Sequence, residues 1–340
     1  MMKALMKTSA SAGAELKTVP IPEPGPGEVQ IKIETMSICG TDLHIYEWDD
    51  WAAGRINTPY IFGHEFSGVI SEIGRGVEGL EPGERCSAET HIVCGKCRAC
   101  RSGKAHVCLN TSIIGVDRDG SFAEYIVVPQ ENVIVNHPSI PARVNSLQEP
   151  FGNAVHTVLS GQPAGRSTAV VGCGPIGLMA VCAAKACGAS RVLAFDVNEY
   201  RLDLARKAGA DVIINPAETD MLQAALQETG GVDVVCEMSG NPQAFDAALK
   251  MTAQGGHMAV LSLPPTVPVR MTEDVVFKGI TIQGITGRRM YETWLQVQGL
   301  LASGQVDLEP LITHEFKLEE FAAGFNLMKE GNCGKIILRP

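Results

Sequence analysis

Ser167-Thr-Ala-Val-Val-Gly-Cys-Gly-Pro-Ile-Gly177 decides the fold. A β-branched run ends in Gly172, Gly174 and Gly177 at G-x-G-x-x-G spacing, with Pro175 and Ile176 before the last glycine, and an apolar helix is predicted over 175–187. Strand, glycine turn and helix in that order let a pyrophosphate approach the helix N-terminus, where unpaired N–H groups and the dipole favour an anion. Asp196 closes the next strand-like run, nineteen residues beyond Gly177. A carboxylate there accepts from the adenosine ribose hydroxyls and repels a 2′-phosphate, so NAD is expected rather than NADP. Arg201 keeps three readings: it attracts that phosphate, packs beside the adenine, or pairs with Asp203 or Glu199.

Outward from this turn, strand and helix patterns alternate. Strands are predicted at 211–215, 233–238, 257–263 and 279–285, and helices at 199–207, 222–227 and 243–251. That alternation marks a doubly wound parallel sheet. Leu261, Ser262 and Leu263 close one of the later strands and Ile285 and Thr286 the other, and all five are assigned to the cofactor. The stretch 168–184 carries no charge, but its glycines and Pro175 break it as a strand-turn-helix does, which argues against a membrane span.

The N-terminal part differs. Short β-branched runs at 29–33, 66–73 and 122–128 are separated by turn signals at 22–27, 74–76 and 81–83, an irregular all-β pattern. Cys39, His64 and Glu65 within it offer a thiolate, an imidazole and a carboxylate, a donor set for zinc that leaves one position open. A Cys and a His separated by a loop also occur without any metal. Neighbours in extended chain point to opposite faces, so His64 and Glu65 both reach one ion only if the backbone turns there. Thr41 and His44 are residue types that could carry a proton from a substrate hydroxyl out to solvent.

Cys94, Cys97 and Cys100 at x2 spacing, followed by Cys108, can close an all-thiolate tetrahedral site with no open position, which makes it structural. Lys96, Arg98, Arg101 and Lys104 among them either offset the thiolate charge or form an ordinary solvated loop. The eleven cysteines are an odd number, and Cys86, Cys173, Cys182, Cys187, Cys236 and Cys333 read as buried small hydrophobes. The 340 residues suit two domains. A formal charge of −10 argues against a nucleic-acid partner and for a small-molecule substrate. Residues 1–13 lack an apolar signal core, so a cytoplasmic location is expected. After residue 285 a helix at 291–302, strands at 310–316 and 335–338 and a helix at 318–328 are expected to return to the first domain and complete its sheet.

Cys39, Gly63-His64-Glu65, the four-cysteine lobe and the Gly172 turn, in this order, resemble the zinc-dependent medium-chain dehydrogenases over the whole chain. The resemblance implies an α/β protein with a GroES-like β-rich catalytic domain at 1–150, its structural zinc lobe at about 91–110, a Rossmann domain at 151–287 and a returning segment at 288–340. It implies an oxidoreductase that moves hydride from the carbon of a secondary alcohol to NAD, with zinc lowering the pKa of the hydroxyl. Two zincs per chain follow, a catalytic one on Cys39, His64 and Glu65 and a structural one on Cys94, Cys97, Cys100 and Cys108. Thr41 and His44 become the proton relay, His91 a substrate-side residue, and Glu149 a further ligand or a relay carboxylate. Cys39 and Glu65 already neutralise Zn2+, which favours Glu149 outside the ligand set. From the residues alone, Glu149 equally reads as a solvated turn carboxylate and His91 as a satisfied loop histidine.

The family also implies a homotetramer. Longer matches at 39–51, 150–157, 196–202 and 292–294 point to one branch of it. Trp48 and Trp51 either cap a loop or line one near the active site. Two rivals stand beside this reading: a polyol or 2,3-butanediol dehydrogenase on the same scaffold, and a non-catalytic nucleotide-binding protein that keeps only a structural zinc.

Overall fold

The computed structural model describes residues 1–340. Six parallel strands form one sheet in the spatial order Val212–Ile214, Arg191–Phe195, Ser167–Val171, Val232–Glu237, Thr252–Val260, Thr281–Gly284. Ser167–Val171 is buried throughout, as a central parallel strand covered on both faces must be. The period of two is visible in the packing. Val170, Val192, Ala194, Val234 and Cys236 join the core on one face, and Ala169, Val171, Leu193, Phe195 and Val235 the core on the other. Strand order reverses between Ser167–Val171 and Val232–Glu237, and a crevice outside the strand ends at such a point is where ligands of open α/β sheets bind.

A second, mostly antiparallel sheet runs Val133–Val135, Arg85–Ala88, Glu65–Ile73, Glu28–Ser37, Lys335–Arg339, Ile312–Lys317, with Tyr125–Pro129 also paired to Glu28–Ser37. The C-terminal strand thus lies beside Glu28–Ser37, with Ile337 opposite Ser37 and Ser37 opposite Glu65. That register brings Lys335 to the Cys39–Glu65 region. The four-cysteine lobe projects between two short strands, His91–Ile92 and Ser112–Ile113, that pair with each other.

Three helices of six or more residues depart from the expected all-β start. Gly40–Glu47 and Asp50–Arg55 follow Cys39 directly, and Gln148–Ser160 runs across the expected boundary at 150. The last holds Pro150 and Gly152, which in a sequence read as a turn. Pro150 is harmless in the first turn, where its missing N–H would have no intrahelical partner. Gly152 is a matter of space: a Cβ there would lie 2.5 Å from Arg288 Cδ. The strand predicted at 257–263 starts earlier and stops at Val260, leaving 261–263 as loop.

Candidate active site

Cys39 caps the helix Gly40–Glu47, its N–H donating to Asp42 Oδ2 at 2.9 Å. Gly63 has φ +92°, and a Cβ there would lie 2.6 Å from the Phe122 ring, so only glycine makes this turn. The turn settles the geometric question about His64 and Glu65. One donor atom each of Cys39, His64 and Glu65 come together within 4.8 Å.

His64 Nδ1 faces Asp42 Oδ1 at 3.4 Å, leaving Nε2 for the cluster. Burial pulls the His64 imidazolium down, yet Asp42 and the Cys39 thiolate together hold it well above the ordinary histidine value. A field that charges a buried imidazole is one that attracts a cation. Glu65 is fully buried: its Oε2 contacts Lys335 Nζ and Ser37 Oγ, while its Oε1 has no partner. Burial pushes the Glu65 carboxyl up, and Lys335 opposes it. An orphaned carboxylate oxygen, an imidazole nitrogen and a thiol converging on one point fit a zinc ion with one position left open.

Two buried basic residues complete the surroundings, and neither is evident from local sequence. Lys335 Nζ donates to Ile38 O at 3.0 Å as well as to Glu65. Arg288 joins two carboxylates: Nε donates to Glu89 Oε2 at 3.0 Å, Nη2 to Glu89 Oε1 at 2.5 Å, and Nη1 to Glu149 Oε1. Trp294 Nε1 also donates to Glu89 Oε2, at 2.8 Å. Glu149 therefore lies outside the Cys39–His64–Glu65 cluster, buried rather than solvated, with Thr90 Oγ1 3.2 Å away. His91 sits in the same network, Nδ1 3.3 Å from Glu89 Oε1 and 3.4 Å from Arg288 Nη2. Thr41 and His44 are three residues apart on one helix, hence on one face.

At the nucleotide turn, a Cβ on Gly177 would lie 1.9 Å from Gly172 O, so helix and turn approach as closely as glycine permits. Asp196 is held by backbone, Oδ2 accepting from Cys173 N at 2.7 Å and Oδ1 from Asn198 N at 2.9 Å. A cavity of about 740 Å³ opens between Gly172, Gly174, Asp196, Arg201, Met221 and Asn241. Arg201 pairs with neither suggested carboxylate: its Nε has no partner, Asp203 is taken by Arg206 and Glu199 by Asn215. A second cavity of about 240 Å³ runs from Gly174, Pro175, Ile176 and Gly177 past Leu261 and Ser262 to Cys39 and Lys335. Leu263, Ile285 and Thr286 line neither cavity, and Leu263 is 90% exposed. Glu237, not foreseen, ties the two loops at the crevice together, accepting from Ser239 N at 2.9 Å and from Ser262 Oγ.

In the lobe, Cys94, Cys97, Cys100 and Cys108 are free thiols whose sulfurs lie within 4.8 Å of one another. Cys94–Cys108 and Cys97–Cys100 are each 3.5 Å apart, close to the ~3.8 Å edge of a tetrahedron with ~2.3 Å zinc–sulfur bonds. The backbone N–H of Lys96, then the Asn110 side chain and the N–H of Cys97, bring the Cys94 thiol down to about 6. Backbone N–H groups also bring the Cys97 thiol down, while burial and the neighbouring thiols push Cys100 up to about 12.

A nucleotide crevice that leads to an open Cys-His-Glu cluster, together with a closed four-thiol lobe in the same chain, defines a zinc-dependent dehydrogenase. Residues 25–139 match the alcohol dehydrogenase GroES-like domain and residues 175–303 the zinc-binding dehydrogenase family, and the chain belongs to that family. It is an enzyme that uses NAD and zinc. The chain is 56% identical over 342 residues to L-threonine 3-dehydrogenase of Bacillus subtilis, covering 100% of this chain and 99% of that one. It is 50% identical over 340 residues to L-threonine 3-dehydrogenase of Pyrococcus horikoshii, covering 99% and 98%. Among solved structures, 2R,3R-butanediol dehydrogenase from Bacillus subtilis superposes with a TM-score of 0.91 at 30% identity, covering 100% of both chains.

Proposed function

We propose that the chain oxidises the 3-hydroxyl of L-threonine to 2-amino-3-ketobutyrate, with NAD as hydride acceptor. One structural observation carries the chemistry: the cavity that starts at the Gly174–Gly177 turn ends at Cys39 and Lys335, so a nicotinamide entering from the turn meets the metal cluster. The substrate is supported by the full-length identity to L-threonine 3-dehydrogenases and by the matches at 39–51, 150–157, 196–202 and 292–294. No helix is long and apolar enough to cross a membrane. A cytoplasmic homotetramer is part of the same proposal.

Cys39, His64 and Glu65 would hold the catalytic zinc, and Cys94, Cys97, Cys100 and Cys108 the structural one. Zinc, when bound, supplies Lewis acidity that lowers the pKa of the substrate hydroxyl, and NAD supplies the hydride acceptor. The chain's own groups do the rest. Thr41 and His44 carry the hydroxyl proton outward. Lys335 fixes one oxygen of Glu65 and leaves the other to the cluster. Glu149 shares Arg288 with Glu89, so these two carboxylates and one guanidinium leave net negative charge for the substrate ammonium. His91 borders the substrate from the same network. Asp196, fixed by two backbone N–H groups, receives the ribose hydroxyls, and Arg201 borders the adenosine end.

The test is turnover of L-threonine, sorbitol and 2,3-butanediol with NAD, alongside metal analysis. Rapid NADH formation from threonine and about two zincs per chain are expected. Rapid turnover of a polyol or butanediol without any from threonine would sink the substrate assignment. One zinc per chain and no turnover would leave only a nucleotide-binding structural protein. Cys39→Ser should abolish activity and remove one zinc, and full activity in that variant would refute the proposed catalytic centre.

A further inference from the structure

The helix Gly40–Glu47, which carries Thr41 and His44, is followed by chain that folds back onto it. Trp48 takes the left-handed conformation, φ 59°, and donates its N–H to His44 O at 2.9 Å, closing the helix. A buried lysine holds this turn from below: Lys7 Nζ donates to Tyr46 O at 3.0 Å and Gly13 O at 2.8 Å, and lies 5.1 Å from the centre of the Trp48 ring. Asp49 then caps the helix Asp50–Arg55, its Oδ1 accepting from Ala52 N at 3.0 Å. The other oxygen, Oδ2, lies 2.5 Å from His44 Nδ1. Trp51 walls the imidazole, with ring centres 6.1 Å apart. The carboxylate is therefore pinned through one oxygen and presents the other to His44.

We propose that Asp49 is the positioning residue of the proton relay: it accepts the Nδ1–H of His44, fixes that tautomer, and leaves Nε2 unprotonated to receive the proton passed on through Thr41. This rests on the reading of Thr41 and His44 as the relay. The nitrogen that carries the proton in a neutral imidazole is set by the hydrogen bond the other one lacks or makes. When Nε2 takes the proton, the ring becomes cationic and Asp49 stabilises it. The proton then leaves to solvent, to which the His44 side chain is 59% exposed.

Asp49 is suited to staying ionised. Desolvation pushes its carboxyl up, but the Ala52 N–H and His44 bring it below the usual range. The other charged groups on these elements are already engaged or lie apart from the ring. Asp42 faces Cys39 N and His64, Glu47 is held by Lys329 at 3.0 Å, and Arg55 by Asp117 at 2.8 Å. Lys7 lies under Trp48, and Asp50 sits in the first turn of the next helix.

Asp49→Asn isolates the charge, because asparagine caps a helix about as well as aspartate. The measurement is kcat/KM for L-threonine against pH, with NAD saturating, in wild type, Asp49→Asn, His44→Asn and the double variant, together with the melting temperature of each. Asp49→Asn should keep the melting temperature and the NAD affinity. Its kcat/KM should fall about tenfold, a part of the 10²–10⁴ that positioned proton transfer contributes. Its acid limb should move to lower pH, because the imidazolium has lost its anion. In the His44→Asn background the same change should do nothing further. Asp49→Ala, which also loses the cap, should melt lower and so separates the structural share.

A slow His44→Asn beside an Asp49→Asn of wild-type rate and unmoved acid limb would overturn the role of Asp49 while the relay stands. Independent, additive losses in the double variant would overturn it too. A His44→Asn of wild-type rate would overturn the relay itself.

Discussion

Replacing Arg288 by methionine tests whether one guanidinium holds the site's buried carboxylates in place. The Arg288 side chain is 1% exposed, and its partners Glu89 and Glu149 are 0% and 7% exposed. Arg288 donates to both carboxylates, to Thr90 Oγ1 at 3.0 Å and to Asn153 Oδ1 at 3.1 Å. Methionine fills much of the same volume but leaves two carboxylates without a counter-charge. Removing one partner of a buried ion pair costs about 3–5 kcal/mol. At roughly 2 °C per kcal/mol for a long chain, the melting temperature should drop by about 6–10 °C. The pH dependence adds a sharper criterion. Burial pushes the Glu89 carboxyl up, but Arg288 and His91 hold it well below the usual range, so in the wild type this contribution is complete above about pH 4.3 and is lost only as pH falls further. Without Arg288, burial is opposed only by the His91 contacts and the Trp294 N–H, so the folded-state value rises, and protonation relieves the variant. Calorimetry from pH 7.5 to 5 should therefore show a deficit that shrinks on acidification. A deficit under about 1 kcal/mol, or one that grows on acidification, would refute this account.

Two further outcomes follow from single positions. Gly177→Ala places a methyl 1.9 Å from Gly172 O and forces the turn off the helix, so titration calorimetry should show NAD binding weakened by about tenfold or more, and unchanged affinity would show that this approach is not needed for the cofactor. Lys7 is brought down to about 8 by burial, with Glu47 opposing, against about 10.4 in an unfolded chain. Between those values the unfolded state binds more protons, so the stability of the wild type relative to Lys7→Met should rise from about pH 8 to about pH 10.4. A pH-independent difference in denaturant midpoints would contradict it.

The nucleotide half was legible because its signals are local. A parallel strand buried on both faces is a run of five apolar or β-branched residues, and the turn after it needs glycines at fixed offsets, so Ser167–Gly177 contains nearly all of its own explanation. The same holds for the lobe, whose four thiols lie within fifteen residues. The helix Gln148–Ser160 is not legible in the sequence, for the opposite reason. Gly152 reads as a helix breaker, yet it is there because the Arg288 side chain, 136 positions away, occupies the space of a Cβ. A glycine whose purpose is to admit a distant guanidinium cannot be told by its neighbours from one that ends a helix.

The charges of the site show the same limit more generally. Glu65 was recognisable as a donor, but what keeps one of its oxygens occupied is Lys335, 270 positions later. Glu149 reads from sequence as a further ligand, a relay carboxylate or a solvated turn carboxylate, and what holds it buried is Arg288, which binds it and Glu89 together. Both basic residues belong to chain that follows the nucleotide sheet. Among the buried carboxylates of the site, Glu65 is compensated only after the last strand returns: Lys335–Arg339 must pair with Glu28–Ser37 before Glu65 has its counter-ion. This order of assembly gives the returning tail a role beyond completing a sheet, because it sets which carboxylate oxygens remain free to meet a cation.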